Sequence, residues 1–158
     1  MNNATSIFVF GLDGILVDLG GQNSISDLRP NKAVLSTFRD SVADKTSITV
    51  VMSSLDQSTH AETWMWLLKH FKVASSPQPT YLFTRIGSTS STVSALQNLK
   101  SVVGRHPTCT RIQCLDSDKV LLSSYRDFVK NRNVKFWRMY TLAENVITTF
   151  DSSFVDSM

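Results

Sequence analysis

Short, continuously apolar runs alternate along this chain with longer stretches in which apolar residues recur every three or four positions. Residues 6–10 (SIFVF) are mostly apolar, β-branched and aromatic and lead into Gly11, as in a strand buried on both faces. After a polar, glycine-containing loop over residues 19–29, Pro30 suits a helix start, and Ala33, Val34, Leu35 and Phe38 lie mostly on one helical face. Residues 47–52 (SITVVM) predict a second buried strand, closing on Ser53 and Ser54. Ser58 suits the cap of a helix carrying Ala61, Trp64, Leu67, Leu68 and Phe71 at helical spacing. The turn-rich SSPQP segment precedes a third strand, Thr80–Arg85, and residues 91–103 predict a helix with Val93, Leu96, Leu99 and Val103 inward. Arg111–Leu115 is a fourth strand, residues 119–130 a helix, and residues 134–140 (VKFWRMY) a fifth strand. The segment beyond predicts a short helix and a frayed end.

Five strands separated by helices predict an α/β fold: a three-layer α/β/α, Rossmann-like arrangement around a five-stranded, mainly parallel sheet. Residues 1–145 would form a single domain and 146–158 a C-terminal tail. In such sheets the ligand site lies at the carboxyl ends of the strands. That rule gathers residues 11–14, Ser53 with Ser54, and Asp116, Ser117 and Asp118 into one place.

Composition narrows this picture little. With 158 residues, 42% hydrophobic and 18% charged, the chain is long enough for a proper core and belongs with globular proteins. Its formal charge of +3 and pI near 9.0 are compatible with an acidic or nucleic-acid partner, and equally with an ordinary charge balance. Cys109 and Cys114, the only cysteines, cannot form a disulfide framework. With His106 they would supply three zinc ligands and no matching second pair, so buried thiols in a reducing compartment are the expectation. His60 and His70 form no H-x-x-x-H pair. No run approaches the roughly 18–20 apolar residues of a membrane span, and no charged region precedes an apolar run as in a secretory signal. An intracellular protein is expected, in cytoplasm or organelle matrix.

The stretch FGLDGILVD, residues 10–18, resembles the first motif of the haloacid dehalogenase (HAD) superfamily, F-D-x-D-G-T-L-x-D. The agreement comprises Phe10, Asp13, Gly14, Leu16 and Asp18, directly after the first strand. Ser53 is similar to the second motif, and Asp116 and Asp118 look like the acidic fourth motif. The likeness spans residues 6 to about 140. It implies a phosphoryl-transfer site in which the first aspartate attacks phosphorus, the second is general acid/base, the Ser/Thr and a basic residue hold phosphate, and the fourth-motif carboxylate helps hold Mg²⁺. The nucleophile position, however, is Gly11, and Ile15 replaces the usual threonine. The family's basic residue has no clear match: Ala95 and Leu96 occupy its register and Lys100 lies a turn later. Deleting the nucleophile of subtilisin costs on the order of 10⁶ in kcat.

The resemblance therefore implies a degenerate site. Its residues have ordinary alternative roles: Asp13 and Gly14 in a tight turn, Ser53 as a strand-end cap, Asp116 and Asp118 as caps of the following helix. Any surviving cation would be held by Asp13, Asp116 and Asp118, with the carbonyl of Asp13. Only the loop 19–29 and the turn 73–79 are available as a cap, which leaves the site open.

Two surfaces complete the reading. At about 100° per residue Trp66 falls nearly opposite the apolar face of its helix, among Glu62, Lys69 and His70. It is either an interface anchor or covered by a loop or tail of the chain. Arg126, Lys130, Arg132, Lys135 and Arg138, interleaved with Trp137 and Tyr140, form a basic segment suited to RNA or an acidic protein, or a solvated face. The expectation is a HAD-like domain without catalysis or cofactor, a structural or binding subunit of a protein or ribonucleoprotein assembly. The alternatives are a divergent Mg²⁺-dependent phosphatase with a water nucleophile acting on a macromolecular phosphate, and a binder of RNA ends.

Overall fold

The computed structural model describes residues 3–20, 24–85, 89–132 and 134–153. In chain order it contains β1 (Ser6–Gly11), α1 (Leu35–Ala43), β2 (Ser47–Asp56), α2 (His60–His70), β3 (Thr80–Arg85), α3 (Ser91–Arg105), β4 (Arg111–Leu115), α4 (Lys119–Lys130), β5 (Phe136–Ala143) and β6 (Val146–Ser152). The strands form one six-stranded sheet in the order β3-β2-β1-β4-β5-β6. Its first five strands in sequence pair in parallel, and β6 returns antiparallel to β5. The α/β class and the mainly parallel Rossmann-like sheet are as the pattern predicts, with one strand more.

Alternation divides the core in two. Ile7, Val9, Ile48, Val50, Ile112, Cys114, Trp137 and Met139 face α3 and α4, meeting Leu99, Val102, Leu122, Tyr125 and Val129. Phe10, Val51, Leu82 and Leu115 face the other way, toward Phe38 of α1, Trp66 and Leu67 of α2, and the loop after β1. That loop contributes Leu12, Ile15, Leu16, Val17, Leu19 and Ile25, all nearly inaccessible. A hydroxyl pair, Ser41 Oγ to Thr49 Oγ1 at 2.7 Å, ties α1 to β2 inside this half.

Several boundaries differ from the sequence reading for local reasons. The first helix starts at Leu35 and not at Pro30, because Asn31 Oδ1 accepts the Ala33 N–H at 3.1 Å and holds a turn there. β2 runs on to Asp56, whose carboxylate receives the Ser58 N–H at 3.1 Å and caps a 3₁₀ turn; α2 follows directly from Thr59 without a side-chain cap, so Ser58 does not cap it. In α3 the buried stripe is Ser94, Ala95, Leu99 and Val102, about one residue round from the expected one, and Val93 is exposed.

The tail expected at 146–158 is a correction. Glu144 and Asn145 both have positive φ, 52° and 63°, the geometry of a two-residue hairpin turn matched to strand twist. β5 therefore extends to Ala143, and residues 146–152 add an edge strand. Residues 154–158 lie outside the described residues.

Candidate functional site

At the carboxyl ends of the strands, the chain brings together the segments that the parallel-sheet rule groups. Gly11, Asp13, Ser53, Ser54, Asp116, Ser117 and Asp118 line one cavity of about 140 Å³, joined by Ser91 and Ala95 of α3 and Leu121 of α4. Directly after β1 the backbone closes a tight turn, with the Leu16 and Val17 N–H groups donating to the Leu12 carbonyl and Gly14 N–H to Val17 O. Gly14 has φ +81°, and a Cβ there would also meet Ser117 Oγ at 2.8 Å, so this turn needs glycine twice over.

Asp13, Ser53, Asp116, Ser117 and Asp118 each have a partner within the chain. Asp13 Oδ1 accepts the Leu19 N–H at 3.1 Å, and Ser53 Oγ accepts the Leu55 N–H at 3.1 Å. Asp118 Oδ1 caps α4, receiving the N–H groups of Val120 and Leu121 at 3.0 and 3.1 Å. Of the two aspartates expected at this helix, only Asp118 caps it. Asp116 instead receives the Asp118 N–H at 3.0 Å and turns its carboxyl toward β1.

That carboxyl occupies the space that a side chain at position 11 would need. A Cβ built on Gly11 would lie 2.6 Å from Asp116 Oδ2 and 2.8 Å from its Cγ, far inside van der Waals contact. Asp116 is buried, and burial pushes its pKa up to about 6, with Asp118 and Asp13 adding repulsion against the N–H bonds that favour the charge.

The cleft carboxylates are already engaged within the chain. Asp118 Oδ1 is committed to the helix end, the Asp13 carbonyl accepts the Ser117 hydroxyl at 3.3 Å, and Asp116 accepts the Asp118 N–H and is buried, its pKa raised to about 6. Among the described residues no group of three or more His, Cys, Asp or Glu is placed to hold a metal ion. Among the described residues no lysine or arginine lines the cleft: Ala95 does, while Lys100 lies over the Phe128 ring, its Nζ 5.7 Å from the centroid. Arg85, which the sequence reading passed over, ends β3 and donates to the Ser54 carbonyl at 3.3 Å. Its position after an apolar strand was the available signal.

The thiol reading of the cysteines stands on burial. Cys109 and Cys114 are free and buried; desolvation raises the Cys109 pKa to about 11, and burial, with the neighbouring Asp116, raises that of Cys114. His106 Nε2 bonds the Tyr81 hydroxyl at 2.8 Å, and His60 Nε2 lies 3.1 Å from Leu82 O.

Trp66 as an outward anchor is corrected. It is 2% exposed, and its indole N–H donates to Leu28 O at 2.8 Å. One turn earlier, Glu62 Oε1 receives the Ser24 hydroxyl and the N–H groups of Ile25 and Ser26, which also lowers its pKa. The polar setting that suggested solvent is thus the fastening of the loop over the indole. The exposed large apolar side chain of α2 is Met65.

The basic segment is not one patch. Arg126 pairs with Asp127 and Asp151, Lys130 lies 5.8 Å from the centroid of Trp137, and Arg132 4.9 Å from that of Phe128, all on the α4 side. Arg138 projects from the opposite face of the sheet, 5.2 Å from the Phe136 centroid, where Arg111 joins it at 4.3 Å. Lys135 is exposed and its N–H enters the turn before β5 by bonding Thr110 O. The sequence reading missed Arg111; its signal was the alternation R-x-Q in β4, which sets polar residues on one face.

No protein-family model, curated protein or solved structure matches the chain. Among the described residues no helix is long and apolar enough to cross a membrane.

Proposed function

We propose that this chain is a HAD-like domain that has lost phosphoryl-transfer chemistry and serves as a binding or structural subunit of a larger assembly. The observation that carries the reading is the Asp116 carboxyl standing where a side chain at position 11 would begin. A site that only lacked its nucleophile would keep a vacancy; here a neighbouring carboxyl has filled it. Further support comes from Asp13, Ser53 and Asp118, each bonded to backbone N–H groups that shape the local turn or helix end. These bonds account for the retention of family-like residues without catalysis. With no cation lining the cleft, the reading as a binder of terminal phosphates has little to rest on.

The test has two arms. Purified chain with Mg²⁺ is offered p-nitrophenyl phosphate and 5′- and 3′-phosphorylated oligonucleotides, and phosphate release is measured. The expected rate equals the buffer blank; Mg²⁺-dependent release abolished by Asp13→Asn would establish the divergent phosphatase instead. In the second arm, the endogenous protein is size-fractionated from a gentle extract. Co-migration with a defined complex is expected, and elution near 17.7 kDa defeats the subunit reading.

A further inference from the structure

At the edge of the sheet opposite the cleft, where α1 and α2 end, the chain leaves a recess of about 480 Å³. Small-molecule sites span roughly 300–1,000 Å³ and are mostly apolar, with a few placed polar groups. The recess follows from how the two helices stop. α1 ends at Ala43 and α2 at His70, and each is left through an extended residue, Asp44 and Phe71. The last turn of α1, with Val42 and Ala43, and the exit from α2, with Phe71 and Lys72, line the recess together.

Its floor is apolar and fixed. Phe71 is 3% exposed and packs against Phe38 and Trp66, with ring centroids 4.5 and 5.9 Å away, and Val42 is buried as well. A wall held in this way needs little reordering when a ligand arrives. The charge around the floor has one sign. Arg39 and Lys72 are exposed and line the recess, and among the described residues no carboxylate does. The Arg39 guanidinium stands 5.9 Å from the Phe71 centroid, over the floor. His70 adds a largely uncharged wall at neutral pH: burial, with Lys69 and Arg29 nearby, holds its pKa below the ordinary value.

Cations near a helix end commonly serve its last carbonyls. In α1 those of Asp40 and Ser41 already accept the Asp44 N–H at 3.1 and 3.3 Å, and that of Val42 accepts the Ser76 hydroxyl at 2.8 Å. The end of α1 is therefore met without Arg39 or Lys72. An apolar hollow rimmed by positive charge suits a molecule with an apolar body and an anionic end.

We propose that this recess binds a small amphipathic carboxylate, with its apolar body on Phe71 and Val42 and its carboxylate meeting Arg39 and Lys72. The site is separate from the cleft, so the proposal does not depend on whether the cleft is inert.

The test uses 8-anilinonaphthalene-1-sulfonate, apolar rings carrying a fixed negative charge, as a fluorescent probe titrated with the full chain. Saturable one-to-one enhancement is expected. 1-Naphthoate should displace the probe at about tenfold lower concentration than 1-naphthylmethanol, which has the same rings without the charge. Arg39→Glu, at an exposed position, should weaken probe binding by about tenfold. Ala43→Trp, which fills the recess from its exposed rim, should abolish it. Lys130→Glu, on the other side of the sheet, should change it by less than about twofold. Urea unfolding verifies the fold of each variant, and Arg39→Glu decides the matter if Ala43→Trp does not fold. The proposal is overturned by absence of saturable binding, by equal displacement with the acid and the alcohol, or by a loss from Lys130→Glu as large as that from Arg39→Glu. It is also overturned by self-association that Arg39→Glu dissolves, which would make the recess an interface between copies of this chain.

Discussion

The cleft at the carboxyl edge of the sheet and the recess at the opposite edge, between α1 and α2, are finished in opposite ways. In the cleft, Asp13, Ser53, Asp116 and Asp118 all accept backbone N–H groups, and the space beside Gly11 is taken by Asp116. In the recess, Phe71 and Val42 make a packed apolar floor, while Arg39 and Lys72 stay exposed at its rim. A side chain whose capacity is met by its own backbone has a reason to be there without any ligand. A cation that stands over an apolar hollow has capacity left for a partner. Function is therefore better sought where the surface is unfinished than where the family-like motif lies.

The largest effect should come from placing a carboxylate at position 11. Gly11→Asp places a Cβ within 2.6 Å of Asp116 Oδ2 and sets a second acidic group beside a buried one. We expect a loss of about 3–5 kcal/mol, the range for an uncompensated buried charge, measured as a shift of the urea midpoint by tryptophan fluorescence. A loss below about 1 kcal/mol would mean that Asp116 swings aside freely and the cleft is not sealed.

Asp116→Asn should act in the opposite direction. The folded-state pKa of about 6 lies above the ordinary value of 3.8, so the folded chain binds a proton more tightly than the unfolded one. Stability is then greatest at low pH, falls between about pH 4 and 6, and carries the full penalty above that. Neutralising the group should stabilise the protein at pH 7.5 by on the order of 2–3 kcal/mol, an advantage that fades toward pH 4. An unchanged advantage across that window would assign the gain to packing and not to charge.

A smaller and more specific effect joins the two residues. Gly11→Ala adds only the Cβ and should cost about 1–2 kcal/mol as overpacking. In an Asp116→Ala background most of that cost should vanish, giving a coupling of about 1 kcal/mol in a double-mutant cycle. Strict additivity would separate Gly11 from Asp116 and remove the main support for a self-filled site.

The sheet and the cleft were legible because both follow from periodicity: apolar runs ending in Gly11, Ser53 and Asp116 can gather only at one edge of a parallel sheet. Arg111–Leu115, Thr80–Arg85 and the helix at 119–130 agree with the structure because strong runs and an Asp cap define them locally. Trp66 stayed undecided between anchor and covered residue because a helical wheel shows which residues share a face, not which loop returns to cover the other; Glu62 receiving three donors from residues 24–26 is a tertiary fact. The hairpin was missed because Glu144 and Asn145 carry none of the usual glycine signal for a positive-φ turn. The recess is invisible to pattern alone, since Phe71 at helical spacing reads like any core phenylalanine and nothing local brings it to Val42 and Arg39 of another helix.

The smallest stability effect bears most directly on the contrast. Arg39 is exposed, and its contact with Phe71 is a surface cation–π interaction worth roughly 0.5–1 kcal/mol. Arg39→Glu should therefore move the urea midpoint by no more than about 1 kcal/mol, whereas the cleft substitution Gly11→Asp moves it several times further. If Arg39 served only to hold α1 against the end of α2, reversing its charge over Phe71 would leave any binding untouched and act through stability alone. If the recess is a binding site, stability stays nearly constant and the affinity for the anionic probe falls. The ratio of the two losses, measured on one variant, separates a surface that serves the fold from a surface that the fold serves.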